Sequence, residues 1–247
     1  MKLAVIGDPI EHSRSPQIHT RLLQDADIEG TYVALRVPKG ETAAALQRLR
    51  SDGFTGCNVT TPLKEEAFHC CDILDEDAEL AQAVNTIYFG ERTYGANTDG
   101  VGARSALETV VGQAMALERV GILGTGSTAR AILAQLRETD AYAYVWGRDG
   151  DKVRAICERF EARPWPVRAP EIVVSTLPPN ANLPDGLCAD LQRADVIMET
   201  NYGKRATLGA MLRREVIDGE LMLEAQARAS FAYWLAHLRG AVTGFAR

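Results

Sequence analysis

At 247 residues, with 46% hydrophobic and 24% charged side chains, the chain can bury two cores, on a prior of roughly 150 residues per domain. The formal net charge of −6 excludes a broad basic face for nucleic acid, and no run approaches the ~18 apolar residues of a membrane span. Met1–Gly7 is too short for a signal peptide, and five irregularly spaced cysteines suit a reducing compartment, so a cytoplasmic protein is expected.

Leu3–Ile6 reads as a short strand ending in Gly7-Asp8-Pro9, and Ser15-Pro16 as an N-cap followed by proline at the first helical position. Tyr32–Leu35 is strand-like, Glu41–Arg50 is an alanine-rich helix stopped at Gly53, and Phe54–Val59 is the next strand. Pro62 is expected to start a helix, and Val84–Phe89 with Arg92–Tyr94 a hairpin turning near Gly90. His69, Cys70 and Cys71 diverge on a helix, so no metal site is expected there. A helix over Asp99–Val111 then leads to strand Arg119–Leu123, a glycine turn, helix Ala129–Arg137, strand Tyr142–Trp146 and helix Asp151–Phe160. Strands follow at Ile172–Ser175 and Asp195–Met198, and a last helix over Leu221–Leu238 carries Phe231, Trp234, Leu235 and Leu238 at helical spacing. Alternating strands and helices predict an α/β protein: an N-terminal α/β unit with a mostly parallel sheet, then a Rossmann-type dinucleotide-binding unit.

The turn Gly124-Thr125-Gly126-Ser127-Thr128-Ala129 lies between a strand and a helix, as a dinucleotide fingerprint requires. Its first glycine permits the turn, its second lets backbone approach a pyrophosphate, and the helix N-terminus faces the phosphates. Cofactor choice is read after the second strand, at Gly147-Arg148-Asp149 and Lys152. Arg148 and Lys152 favour the extra phosphate of NADP over NAD, while Asp149 beside them would repel it; the competing reading is a solvated turn.

In the first unit, His12-Ser13-Arg14-Ser15-Pro16 reads equally well as a carboxylate cradle at a helix N-terminus and as simple capping by Ser15. Lys64 falls in the first turn after Pro62, and Asp99 lies in Asn97-Thr98-Asp99-Gly100. Each alone reads as a solvated charge. Asn58, Thr60, Asn85, Thr98 and Asp99 are all expected at the carboxyl ends of strands, the edge where open α/β sheets bind ligands. A lysine and an aspartate sharing a proton there would serve acid–base chemistry.

These segments, in order, resemble the shikimate dehydrogenase family, which includes quinate/shikimate dehydrogenases. The similarity is carried by Gly7–Pro16, Asn58–Lys64, Ala83-Val84-Asn85-Thr86, Asn97–Gly100, the glycine turn and Met222-Leu223-Glu224-Ala225-Gln226. The resemblance implies a substrate domain over 1–100 plus 222–247, an NADP domain over 101–221 and a cleft between them. By the same resemblance Ser13 and Ser15 hold the substrate carboxylate. Thr60, Asn85, Asp99 and Gln226 bind ring hydroxyls, and Lys64 is the acid–base residue supported by Asp99. Gly124, Thr125, Gly126, Ser127, Thr128, Arg148 and Lys152 would hold the cofactor. The implied activity is reversible, NADP-dependent reduction of 3-dehydroshikimate to shikimate, in aromatic amino acid biosynthesis through chorismate, by a monomer or homodimer. The alternatives are a quinate or aminoshikimate dehydrogenase using NAD, and a non-catalytic binding paralogue. The chain departs from the family pattern on the cofactor side. Thr125, Ser127 and Thr128 stand for Ala, Gly and Ala, Gly147 for Asn, Glu199 near the usual Asp, and Leu221 near a usual glycine.

Overall fold

The computed structural model describes residues 1–112, 119–166 and 168–240. Residues 113–118, 167 and 241–247 of the two expected domains lie outside the described residues. The chain divides into Met1–Asp99 with Gln226–Arg247, and Gly100–Ala225.

The first unit contains β1 (Lys2–Gly7), α1 (Ser15–Asp25), β2 (Thr31–Arg36), α2 (Thr42–Ser51), β3 (Gly56–Val59) and α3 (Lys64–Phe68). It continues with β4 (Ile73–Leu74), α4 (Glu76–Ala81), β5 (Thr86–Phe89) and β6 (Thr93–Ala96). Its sheet runs β2-β1-β3-β5-β6-β4, with β5 antiparallel to both neighbours and the other pairs parallel. The hairpin β5–β6 is therefore inserted into a parallel framework. β1 and β3 are almost wholly apolar and buried, as strands covered on both faces must be. Ala4, Ile6, Cys57, Val59, Leu63, Val84 and Ile87 share one core with Leu46 and Leu49 of α2.

Two helix starts differ from expectation. Arg14, not Ser15, is the N-cap of α1, because its carbonyl accepts the N–H groups of Gln17 and Ile18. Helix α3 begins at Lys64 rather than Pro62, since Leu63 N–H closes a turn on Thr60 O at 2.9 Å.

After α5 (Asp99–Val111), the second unit has β7 (Arg119–Leu123), α6 (Ser127–Leu136), β8 (Tyr142–Trp146), α7 (Gly150–Phe160), β9 (Arg163–Pro164) and β10 (Ile172–Ser175). α8 (Asp185–Leu191), β11 (Val196–Glu199), α9 (Leu208–Leu212) and α10 (Glu220–Leu238) complete the chain. Its sheet, β11-β10-β7-β8-β9, is wholly parallel. The chain leaves β7 toward β8 on one side and later returns to β10 on the other, so the end of β7 is a topological switch point. Short elements that periodicity does not reveal are β4, α4, β9, α8 and α9. Five to seven residues give at most two helical turns, too few to establish a period. On α10, Trp234 is fully buried and donates its Nε1–H to Ile87 O at 2.8 Å, tying that helix to β5.

Candidate active site

In the first unit the polar segments meet at one sheet edge for a topological reason. β3 and β6 run the same way, so Thr60–Lys64 after β3 and Asn97–Asp99 after β6 emerge together. Asn85 stands at the amino end of β5, not at the carboxyl end expected; because β5 is antiparallel, that end lies at the same edge.

Lys64 and Asp99 form a buried ion pair through Nζ and Oδ2, with side-chain exposures of 11% and 6%. The second carboxylate oxygen accepts from Asn85 Nδ2 at 2.8 Å. Asp99 N–H donates to Asn97 Oδ1 at 3.0 Å, and Asn97 Nδ2 donates to Ala83 O at 2.8 Å, which fixes the loop that presents the carboxylate. Asn85 Oδ1 accepts the backbone N–H of Thr98 at 2.9 Å, so its amide group must face Asp99, Thr98 Oγ1 and Gln226 Oε1. Gln226 reaches this cluster from α10, 141 residues beyond Asn85 in sequence.

Behind these groups, Asn58 Nδ2 lies within hydrogen-bond distance of Asn85 O, Thr86 Oγ1 and Ser230 Oγ. Its Oδ1 accepts from the Tyr32 hydroxyl at 2.7 Å. Burial pushes the Tyr32 phenol well up, so it stays a donor; burial also pulls His19, stacked on Tyr32 at 4.4 Å, down to about 3, so it stays neutral. Lys64 and Asp99 are thus backed by uncharged groups.

Ser13 Oγ accepts the Ser15 N–H at 3.3 Å, so Ser13 shapes the turn that Ser15 was expected to cap, and Ser15 itself is buried. The Ser15 side chain bonds Tyr32, which links α1 to the Asn58 network. Thr60 is half-buried at the end of β3, its N–H donating to Ile6 O at 2.9 Å. Among the described hydrogen bonds, Lys64, Asp99, Asn85, Thr98 and Gln226 are drawn together, while Ser13 and Thr60 make none with them. Tyr32, Thr86 and Ser230 were not anticipated. Ser230 stands four residues after Gln226, a one-turn spacing that places both on one helix face.

In the second unit, Gly124–Thr128 connects β7 to α6 at the switch point. Gly124 has φ +118°, and a Cβ there would lie 2.3 Å from Thr176 Oγ1, so only glycine fits. Gly126 caps α6 with no side-chain hydrogen bond, and a Cβ built on it meets no heavy atom within 4 Å. Open space over a helix N-terminus without a side-chain cap fits a dinucleotide pyrophosphate. After β8, Arg148 is exposed. Asp149, expected to oppose a phosphate, instead caps α7 by accepting from Asp151 and Lys152 N–H at 3.1 and 3.2 Å. Lys152 Nζ lies 4.0 Å from the Asp149 carboxylate. Glu199 accepts from Leu208 and Thr207 N–H at 3.0 and 3.3 Å, bracing the segment before α9. Among the described residues no helix is long and apolar enough to cross a membrane, and no group of three or more His, Cys, Asp or Glu is placed to hold a metal.

A wholly parallel sheet with a glycine turn at its switch point, and a second α/β unit carrying a buried Lys–Asp pair amid amides and hydroxyls, define a nicotinamide-nucleotide-dependent dehydrogenase. Residues 5–87 match the shikimate dehydrogenase substrate binding domain. The NADP(+) shikimate dehydrogenase of Methanothrix thermoacetophila is 34% identical over 244 residues, covering 94% of this chain and 90% of the relative. The chain belongs to the shikimate dehydrogenase family. Among solved structures, an Ael1 enzyme from Pseudomonas putida superposes with TM-score 0.84 at 29% identity, covering 99% of both chains. The Thermus thermophilus shikimate 5-dehydrogenase in complex with NADP(H) and shikimate gives TM-score 0.82 at 27% identity, covering 95% of this chain and 93% of the other.

Proposed function

We propose that this chain is an NADP-dependent shikimate dehydrogenase that reversibly reduces 3-dehydroshikimate, with Lys64 as its acid–base residue. The observation that carries the reading is the buried Lys64–Asp99 pair, with Asn85 donating to Asp99 and Gln226 beside Asn85 in an amide and hydroxyl cradle. In this reading 1–100 with 222–247 is the substrate domain and 101–221 the cofactor domain. NADP supplies or accepts the hydride at the ring carbon.

Lys64 gives a proton to the developing alkoxide during reduction and removes it during oxidation; such general acid–base help is worth roughly 10²–10⁴-fold. Asp99 keeps the ammonium directed and, with Asn85, Thr60 and Gln226, hydrogen-bonds the ring hydroxyls. Ser13 and Ser15 hold the carboxylate at the start of α1. The Gly124–Thr128 backbone, with the Thr125, Ser127 and Thr128 side chains, binds the pyrophosphate, and Arg148 with Lys152 binds the ribose phosphate. Steady-state rates with NADP and NAD against shikimate and quinate test the proposal. Shikimate with NADP is expected to give the highest kcat/KM, and preferred turnover of quinate with NAD would overturn it.

A further inference from the structure

We propose that Ser230 is a positioning residue for substrate recognition, the joint through which α10 sets Gln226 against Asn85. The inference rests on the dehydrogenase reading above. Ser230 is fully buried, one turn beyond Gln226 on α10. Its Oγ lies 3.1 Å from Asn58 Nδ2, 2.8 Å from Thr86 Oγ1 and 3.1 Å from Thr98 Oγ1, groups supplied by β3, β5 and the loop after β6. It also donates to Gln226 O at 3.0 Å.

The donor inventory explains why these contacts act as one unit. Asn58 can turn its amide only one way, because Tyr32 donates to its Oδ1 and Asn85 O takes an N–H. The remaining N–H therefore points at Thr86 and Ser230. A serine hydroxyl has one proton and two lone pairs. Spending the proton on Gln226 O leaves both lone pairs for Asn58 and a threonine hydroxyl. Thr98 Oγ1 likewise meets Gln226 O at 3.1 Å, so Ser230 and Thr98 grip the same carbonyl. That carbonyl belongs to the residue whose side chain faces Asn85 Nδ2 at 3.4 Å. A serine that bonds back to the carbonyl four residues earlier is worse than alanine for the helix itself, so helix stability gives no reason for it here. What the hydroxyl does supply is the placement of Gln226, and hence recognition of a ring hydroxyl rather than the proton transfer.

Ser230→Ala should raise the dissociation constant of shikimate, by calorimetry, and its KM by about five- to tenfold, the size of one buried hydrogen bond. The kcat should stay within about twofold, as for loss of binding shared by ground and transition states. In a Gln226→Ala background, Ser230→Ala should add little, because the side chain it positions is already gone. Unchanged shikimate affinity, or effects that multiply in full in the double variant, would overturn the proposal. Wild-type protein that binds shikimate yet does not oxidise it with NADP would defeat the functional reading instead, and the dissociation constants would still decide Ser230.

Discussion

Replacing Asp99 by asparagine separates the two jobs given to its carboxylate. One oxygen accepts from Lys64 Nζ and the other from Asn85 Nδ2 at 2.8 Å. An amide has only one acceptor oxygen, so whichever way it turns, an N–H₂ group confronts a donor. Asn85 cannot yield by flipping, because the Thr98 N–H already holds its Oδ1 at 2.9 Å. The variant therefore leaves a lysine ammonium, 11% exposed, without its counter-charge. Breaking one side of a buried pair costs about 3–5 kcal/mol. For a chain of this length the lower figure corresponds to a Tm loss of roughly 6–12 °C. Turnover should fall about 10²-fold or more, since the proposed proton donor loses its partner and its aim. Adding Lys64→Met removes the uncompensated charge and replaces it with an apolar chain of similar reach. The double variant should regain about 2 kcal/mol over Asp99→Asn and remain inactive. Melting curves and steady-state kinetics on the two proteins check this. An Asp99→Asn enzyme within about threefold of wild-type kcat, or a double variant less stable than the single, would refute the reasoning.

The other predictions concern distinct parts of the chain. A side chain at Gly147 would place its Cβ 2.7 Å from Thr125 Cγ2 and 3.0 Å from Val153 Cγ2. Gly147→Asn should thus cost about 1–3 kcal/mol in thermal melts, and Thr125→Ala should recover most of it. Arg148→Ala should raise KM for NADP by about tenfold and leave that for NAD unchanged, if the guanidinium serves the extra phosphate as proposed. Burial raises the Asp75 carboxyl from 3.8 to about 7 while it accepts the Ala78 and Asn97 N–H groups. Its protonated form is favoured by folding, so that contribution is full below pH ~4 and is lost as pH rises through about 7. Asp75→Asn, which keeps the accepting oxygen, should raise Tm at pH 8 more than at pH 5.

Long periodic segments were legible in the sequence, and the site followed from them. Strands Arg119–Leu123, Tyr142–Trp146 and Ile172–Ser175 and helix Asp99–Val111 have the bounds that apolar runs and punctuation imply. The gathering of Lys64 and Asp99 at one edge was legible because each follows a strand, whereas Asn85 was expected there as the end of a strand and instead precedes β5. The direction of β5 was not, since a hairpin in a parallel framework is set by pairing far along the chain. Tyr32 and Ser230 were hidden for a related reason. Each is an ordinary residue in its own element, and only the meeting of β2, β3 and α10 gives its hydroxyl a partner.

The departures from the family pattern around the cofactor acquire a physical account when they are taken in pairs. A threonine at 125 and a glycine at 147 are each unusual alone, but the Thr125 methyl lies where a Cβ at 147 would need to sit. The two changes are one steric exchange between the turn after β7 and the turn after β8. Glu199 is similarly explained, for its longer side chain still reaches the backbone N–H groups of Thr207 and Leu208. Asp149, which by charge alone opposes a phosphate, is committed to capping α7. Arg148 and Lys152 remain exposed after β8, and the exchange at 147 leaves no side chain on the β8 side of Arg148. In the proposed reading, discrimination between NADP and NAD therefore falls on Arg148 with Lys152, without the family's usual asparagine beside the arginine, and Arg148→Ala is the variant expected to separate the two cofactors.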